Sequence, residues 1–161
     1  MTKINNIEKV LTLKIEVLYD IEKELEEALP KMAKACKDTE LSMGILSHLE
    51  ETKEQITRLE SIFEMLQAEP KKTKSEGIRG IINDAESVMD MDAPDTLKDG
   101  MIASAARYAE NYEIAGYTSA IEEAEALGLD NVIELLSQTL EEEEEADATL
   151  LLAMEKAFKV Q

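Results

Sequence analysis

Residues 11–32, LTLKIEVLYDIEKELEEALPKM, decide the fold class. Leu11, Leu18, Leu25 and Met32 recur every seven residues, and Ile15 and Leu29 follow Leu11 and Leu25 by four. That period lays one apolar stripe along a long helix, expected over about residues 4–37. Pro30 should kink this helix or open a looser final turn. Asp38-Thr39 reads as a turn and N-cap, and a second helix follows over about 40–68, with Leu41, Ile45, Leu59, Ile62 and Leu66 inward. Glu69-Pro70-Lys71-Lys72 ends it.

The rest of the chain extends the pattern. Gly77 and Gly80 interrupt it, yet Ile78, Ile81, Ile82, Ala85 and Val88 predict a short amphipathic helix over about 76–90. Asp92-Ala93-Pro94-Asp95 punctuates, and a third long helix is expected over about 95–127. Gly128 suits the left-handed residue at its end, and Asp130 the N-cap of a fourth, over about 130–160. Ile133, Leu136, Leu140, Leu150, Leu151 and Met154 mark the inner side of that last helix. Four helices of roughly 30 residues span about 45 Å each. The class is all-α: two αα-hairpins joined by a crossover of about 25 residues containing a short helix. So long a connection returns the chain to the opposite end, so the second and third long helices run parallel. That is the ferritin-like variant of the four-helix bundle. Nothing in 1–161 is rich enough in Pro, Gly or Ser to divide it, so one domain is expected.

Composition sets the limits on function. Among 161 residues, 36 acidic side chains against 17 basic give a net charge of −19. Phosphate backbones and anionic membranes both reward Lys and Arg, so neither nucleic acid nor a membrane surface is expected as a partner. No apolar run approaches the roughly 18 residues of a membrane span. The start, Met1-Thr2-Lys3-Ile4-Asn5, has no apolar core of a signal peptide, and a cytoplasmic location is expected. Cys36 is alone, which removes an intramolecular disulfide or a thiolate cage.

Polar residues inside the stripes carry the functional information. Glu22 stands between Leu18 and Leu25. His48 and Gln55 continue the stripe of the second helix with Glu51 alongside, and Glu110 and Glu113 flank Ala105, Ala109, Tyr112 and Gly116 on the third. On the fourth, Leu136, Leu140, Glu143, Asp147 and Leu150 run the stripe through two acids. Counted from the turns near Asp38 and Gly128, Glu22 lies 16 residues before, Glu51 13 after, Glu113 15 before and Glu143 15 after. Each sits about 20–24 Å from its own turn, so the four meet in one mid-bundle layer. Several buried carboxylates are prohibitively costly unless protonated or neutralised, and cations are the economical solution. Oxygen-rich sites with at most one imidazole favour iron, manganese or zinc, and a four-helix layer has room for two ions. Bland alternatives stand beside these. Glu22 can be a boundary residue, and His48 a satisfied core histidine or a support to a ligand. Glu141–Glu145 encircle the helix and are mostly a solvated face, with Glu143 the inward choice and Glu144 its nearest rival. Tyr112, like Tyr108 and Tyr117, reads first as packing.

These stretches resemble the bacterial ferritin-like stress-response family that includes YciE and YciF. The matching segments are Leu18-Tyr19-Asp20 through Ala28-Leu29-Pro30-Lys31-Met32, and His48-Leu49-Glu50-Glu51-Thr52 with Gln55. Glu110-Asn111-Tyr112-Glu113-Ile114-Ala115-Gly116-Tyr117 and Leu140 through Asp147 complete the set. The resemblance implies a ferritin-like bundle, a homodimer, and a rubrerythrin-like dinuclear metal site. By position it gives Glu22, Glu51, Glu110, Glu113, Glu143 and Asp147 as metal ligands, with His48 as ligand or support. The family often has His where this chain has Asn111. Two readings of function follow: a di-iron protein that oxidises ferrous iron with oxygen or peroxide, or reduces peroxide, and a non-catalytic helical scaffold with a structural metal or none.

Overall fold

The computed structural model describes residues 3–159. Among them the chain forms five helices and no strand: α1 (Ile7–Ala35), α2 (Thr39–Met65), α3 (Glu76–Asp90), α4 (Asp95–Ala126) and α5 (Asp130–Lys159). The expected reach of the last helix to residue 160 lies outside the described residues. The other helix ends differ from expectation for identifiable reasons. At the start of α1, the Asn6 side chain accepts from the Lys9 N–H, so the helix begins at Ile7 and not at residue 4. Pro30 lies within α1, which continues to Ala35. α2 stops three residues early, because Gln67 adopts φ 53° and the Ala68 N–H closes onto the Phe63 carbonyl. Asp130 is the first helical residue of α5 and not the residue before it. Asp38 caps α2 through the Leu41 N–H, and Gly128 turns left-handed at φ 65°.

Side-chain pairs fix the topology. Tyr117 meets Glu22, and Asp99 meets the backbone of Lys37 and Asp38, so α4 runs antiparallel to α1. Lys156 meets Glu40, Gln55 meets Glu143, and Arg58 meets Thr139, so α5 runs antiparallel to α2. With α1 and α2 joined by a tight turn, α2 and α4 are parallel on the diagonal, as the long crossover requires. The four long helices enclose a core of Leu11, Ile15, Leu18, Leu25, Leu59, Ile62, Phe63, Ile102, Ala120 and Leu136, all sequestered from solvent. Each large aliphatic side chain among them contributes about 1.5–3 kcal/mol of burial. Gly116 lets α4 approach α1 closely: an added Cβ would lie 2.9 Å from Leu18 Cδ2.

The crossover is held against α1 and α4. Asp20, 1% exposed, accepts from the Ser75 N–H at 2.8 Å and from Arg79 at 2.6 Å. Neighbouring charge therefore holds its carboxyl below the usual range despite the opposing cost of burial. The Tyr112 hydroxyl lies 3.1 Å from Ser75 Oγ, and its ring fills the space beside Gly77, where a side chain would collide with it. Asp99 accepts from the Lys37 and Asp38 N–H groups at 2.8 and 2.7 Å, tying α4 to the α1–α2 turn.

Candidate metal centre

Four helices deliver one acidic layer. Glu22 of α1, Glu110 and Glu113 of α4 and Glu143 of α5 are each at most 1% exposed, and His48 of α2 is 7% exposed. His48, Glu110, Glu113 and Glu143 present ligand atoms that all lie within 4.8 Å of one another. Glu22 joins them through its side-chain contact with Glu113, and the Tyr117 hydroxyl donates to its Oε1. Gln55 Nε2 donates to Glu143 Oε1 at 2.5 Å and to Glu142 Oε2 at 3.0 Å, fixing the carboxylate from α2. His48 Nδ1 lies 3.0 Å from Glu51 Oε2, which orients the ring so that Nε2 faces the cluster. Nε2 stands 3.1 Å from Glu110 Oε2 and 3.5 Å from Glu143 Oε2, in neither case aligned as a hydrogen bond.

The layer is electrostatically unfinished. Glu22 Oε2, His48 Nε2, Gln55 Oε1, Glu110 Oε2, both Glu113 oxygens and Glu143 Oε2 are buried without a hydrogen-bond partner. Native interiors leave few such atoms, and here they share one small volume. Burial, tempered by hydrogen bonds from Tyr117 and Glu113, pushes the Glu22 carboxyl up to about 7. Burial, then the charges of Glu143, Glu22 and Glu110, drives Glu113 well above the carboxylate range. Glu143 rises for the same reason, through burial and then Glu110. Burial works against a charged His48, but Glu110, Glu51 and Glu143 carry the ring up to about 11. Four carboxylates and one imidazole are the donor set of a hard or borderline cation. One ion could take the place of the protons that the bare cluster must hold.

The sequence-derived residues do not all converge. Glu22, Glu110, Glu113 and Glu143 meet as expected, with Glu143 inward and Glu144 exposed. Asp147 does not: it accepts from Arg107 Nε at 2.8 Å and Asn111 Nδ2 at 2.8 Å on the outer edge of the α4–α5 seam. Its short side chain, one turn beyond Glu143, reaches that basic neighbour and not the layer. Glu51 lies outside the cluster with its side chain 43% exposed, behind His48. The α2 stripe turns His48, Thr52 and Gln55 inward, and that phase leaves Glu51 on the flank. Gln55 supports Glu143, whereas Tyr112 serves the crossover and not the centre. Tyr117, first read as packing, bonds Glu22, and Arg58 takes Glu142 in a bidentate pair at 2.6 and 2.7 Å. No local sequence signal marks the former, a contact between residues 95 apart in the chain.

Fold and site together define an all-helical protein with a buried His/Glu cluster able to hold a metal ion. The chain belongs to the family described as Domain of unknown function (DUF892), whose family model matches residues 6–160. It is 35% identical over 145 residues to protein YciF of Escherichia coli K12, covering 89% of this chain and 87% of that one. The crystal structure of the E. coli stress protein YciF superposes with a TM-score of 0.94 at 32% identity, over 98% of this chain and all of that one. YcfI of Rhodopseudomonas palustris gives a TM-score of 0.88 at 36% identity, over 92% of this chain and 94% of that one. No helix among the described residues is long and apolar enough to cross a membrane.

Proposed function

We propose that this protein is a rubrerythrin-like member of the ferritin-like group that holds two metal ions, iron foremost, and uses them to oxidise ferrous iron or to reduce peroxide. The observation that carries this reading is the convergence of unpartnered buried donor atoms on Glu22, His48, Glu110, Glu113 and Glu143. Leaving several carboxylates so placed costs several kcal/mol each unless they are protonated or matched by cations. His48, Glu110, Glu113 and Glu143 would hold an ion between them, and Glu22, beside Glu113, adds the carboxylate a second ion needs. Bound ferrous ions supply electrons to an oxidant. The protein's own contribution is positional. Tyr117 fixes Glu22, Gln55 fixes Glu143, and Glu51 sets the tautomer and plane of His48. Burial excludes bulk water from the layer.

Elemental analysis of protein purified without chelator, followed by anaerobic ferrous loading and the visible spectrum after oxidation, tests this reading. About two equivalents of iron and a new absorption band on oxidation are expected. Fewer than half an equivalent of any transition metal after loading overturns it. The exposed apolar side chains Met43, Leu46 and Leu152 favour a second reading, a non-catalytic scaffold that pairs with another copy or another protein. On that reading Glu113→Ala and Glu143→Ala keep every cellular activity of the protein.

A further inference from the structure

The seam between α2 and α5 is joined at two places and open between them. Towards one end, Gln55 and Arg58 bind Thr139, Glu142 and Glu143. At the other, Lys156 binds Glu40 at 2.8 Å and Asp38 at 3.4 Å. Between these ties lies a cavity of about 550 Å³, with Leu41 and Ile45 of α2 and Leu150 and Ala153 of α5 among its walls. The antiparallel register set by the Gln55–Glu142 and Arg58–Thr139 pairs brings Thr149 across from His48 and Ala146 across from Glu51. All four line the cavity. From the metal layer, His48 and Glu110 form part of its wall. A second cavity, beside Tyr108 and Phe158, touches no member of the layer. Two other approaches are closed. The Tyr112 ring packs α4 onto α3 at Gly77, and Arg107 and Asn111 hold Asp147 across the α4–α5 seam.

Charge chooses what enters this groove. Five carboxylates line it, on Asp38, Glu40, Glu51, Glu142 and Glu145. Their basic partners sit at its two ends, where Lys156 holds Asp38 and Glu40, and Arg58 holds Glu142. In the middle, beside the layer, no Lys or Arg among the described residues pairs with Glu51 or Glu145. Glu51 is bound to His48 Nδ1 at 3.0 Å with its side chain 43% exposed, and Glu145 is exposed. Unpaired negative charge therefore lies where the groove meets the layer, between apolar walls. A cleft of one sign with low-dielectric walls focuses the field, concentrates the opposite ion and speeds its association by about 10–1,000-fold. Such a field favours a small cation over an anion or a neutral molecule. His48 is the partition. Its Nδ1 faces Glu51 in the groove and its Nε2 faces Glu110 and Glu143 in the layer, so one ring separates the outer carboxylate from the sealed donors.

We propose that metal cations reach the buried layer through the α2–α5 groove: Glu51 and Glu145 draw the ion to the His48 ring, and the ring swings aside to admit it past Glu110. This rests on the metal-centre reading above and adds to it the way in. Glu51, standing outside the cluster, serves the passage and not the centre. Turning the ring gives up its contact with Glu51, and a cation arriving at that carboxylate replaces the contact.

Cobalt(II) uptake by chelator-treated full-length protein, followed by stopped-flow visible absorption, tests the route, with release into excess chelator as the reverse measurement. Thr149→Phe places a ring over His48 from an exposed position. It should slow loading and release alike, each at least about tenfold, and leave the cobalt stoichiometry and Kd at equilibrium unchanged. Glu145→Gln and Glu51→Gln should each slow loading at least about threefold at low salt, a deficit that shrinks for Glu145→Gln as salt screens the field. Glu144→Gln, the same charge change on an exposed residue outside the groove, should leave the rate unchanged. Circular dichroism checks that each variant is folded. If Thr149→Phe does not fold, Ser47→Phe, exposed on the α2 side of the same cavity, carries the test. Loading of the blocked variant at the wild-type rate overturns the route, and so does a loss of cobalt stoichiometry in that variant. Equal slowing by Glu144→Gln and Glu145→Gln overturns the role of the groove carboxylates. Wild-type protein that takes up no cobalt removes the metal centre and the route together, whereas uptake that ignores the block removes the route alone.

Discussion

Raising the pH of metal-free protein from 5 to 8 should destabilise it, with Glu22 alone contributing about 3 kcal/mol. Its carboxyl has a folded-state value of about 7 against an ordinary 4.5. Between those values the folded protein holds a proton that the unfolded chain has lost, so the folded state binds more protons and stability falls as pH rises. The separation of about 2.5 units at about 1.4 kcal/mol per unit gives about 3.5 kcal/mol for the whole shift. Most of it, about 3 kcal/mol, falls between pH 5 and 8 because the unfolded carboxyl is already largely ionised at pH 5. Glu113 and Glu143, also raised, act in the same sense. His48 adds to it: with its value raised to about 11, its contribution is complete below about 6.5 and is lost progressively above that. For a chain of this size, about 3 kcal/mol corresponds to a fall in Tm of roughly 6–12 °C. Urea unfolding of chelator-treated protein at pH 5, 6, 7 and 8 measures it directly. Glu22→Gln, which cannot ionise, should flatten a large part of the slope. Stability that stays level or rises across this range would refute the reasoning, because it would mean the layer does not hold protons in place of cations.

Three further outcomes follow from the geometry. Glu143→Ala should lower ferrous affinity at least tenfold, whereas Asp147→Ala, which releases only Arg107 and Asn111, should leave metal stoichiometry unchanged in elemental analysis. Asp99→Ala strands the Lys37 and Asp38 N–H groups at the α1–α2 turn and should cost about 2–4 kcal/mol in urea unfolding, with m unchanged. Gly128→Ala forces a side chain into φ 65° between α4 and α5 and should cost about 1 kcal/mol, read as a Tm lower by a few degrees.

The helical frame was legible because its signals are local. The seven-residue recurrence from Leu11 to Met32, the Asp38 cap and the left-handed Gly128 each act within a turn or two of chain. The level of the acidic layer was also legible, since the helical rise converts residue counts into height. Azimuth was harder to read. Glu51 and His48 differ by 3 positions and share a helix side, and only packing decides which of them enters the layer and which stands behind. Asp147 fits the stripe as a pattern, yet Arg107, 40 residues away in the chain, claims it. Tyr117 carries no short-range mark of its bond to Glu22, a contact between residues 95 apart. Gln67 likewise ends α2 through a backbone conformation that residue type alone does not announce.

The crossover pinned by Asp20 and Arg79 gives the bundle unequal sides. α3 backs the α1–α4 side, while the α2–α5 side depends on a few polar ties around Arg58 and Lys156. Local opening in proteins follows the thinnest set of contacts, at a free energy well below that of global unfolding. The α2–α5 side is therefore where the fold breathes: amides of the two helices lining it would exchange with deuterium through a partial opening, while those of α1 and α4 wait for the whole molecule to unfold. The acidic layer can be reached by parting one wall, without melting the protein that encloses it.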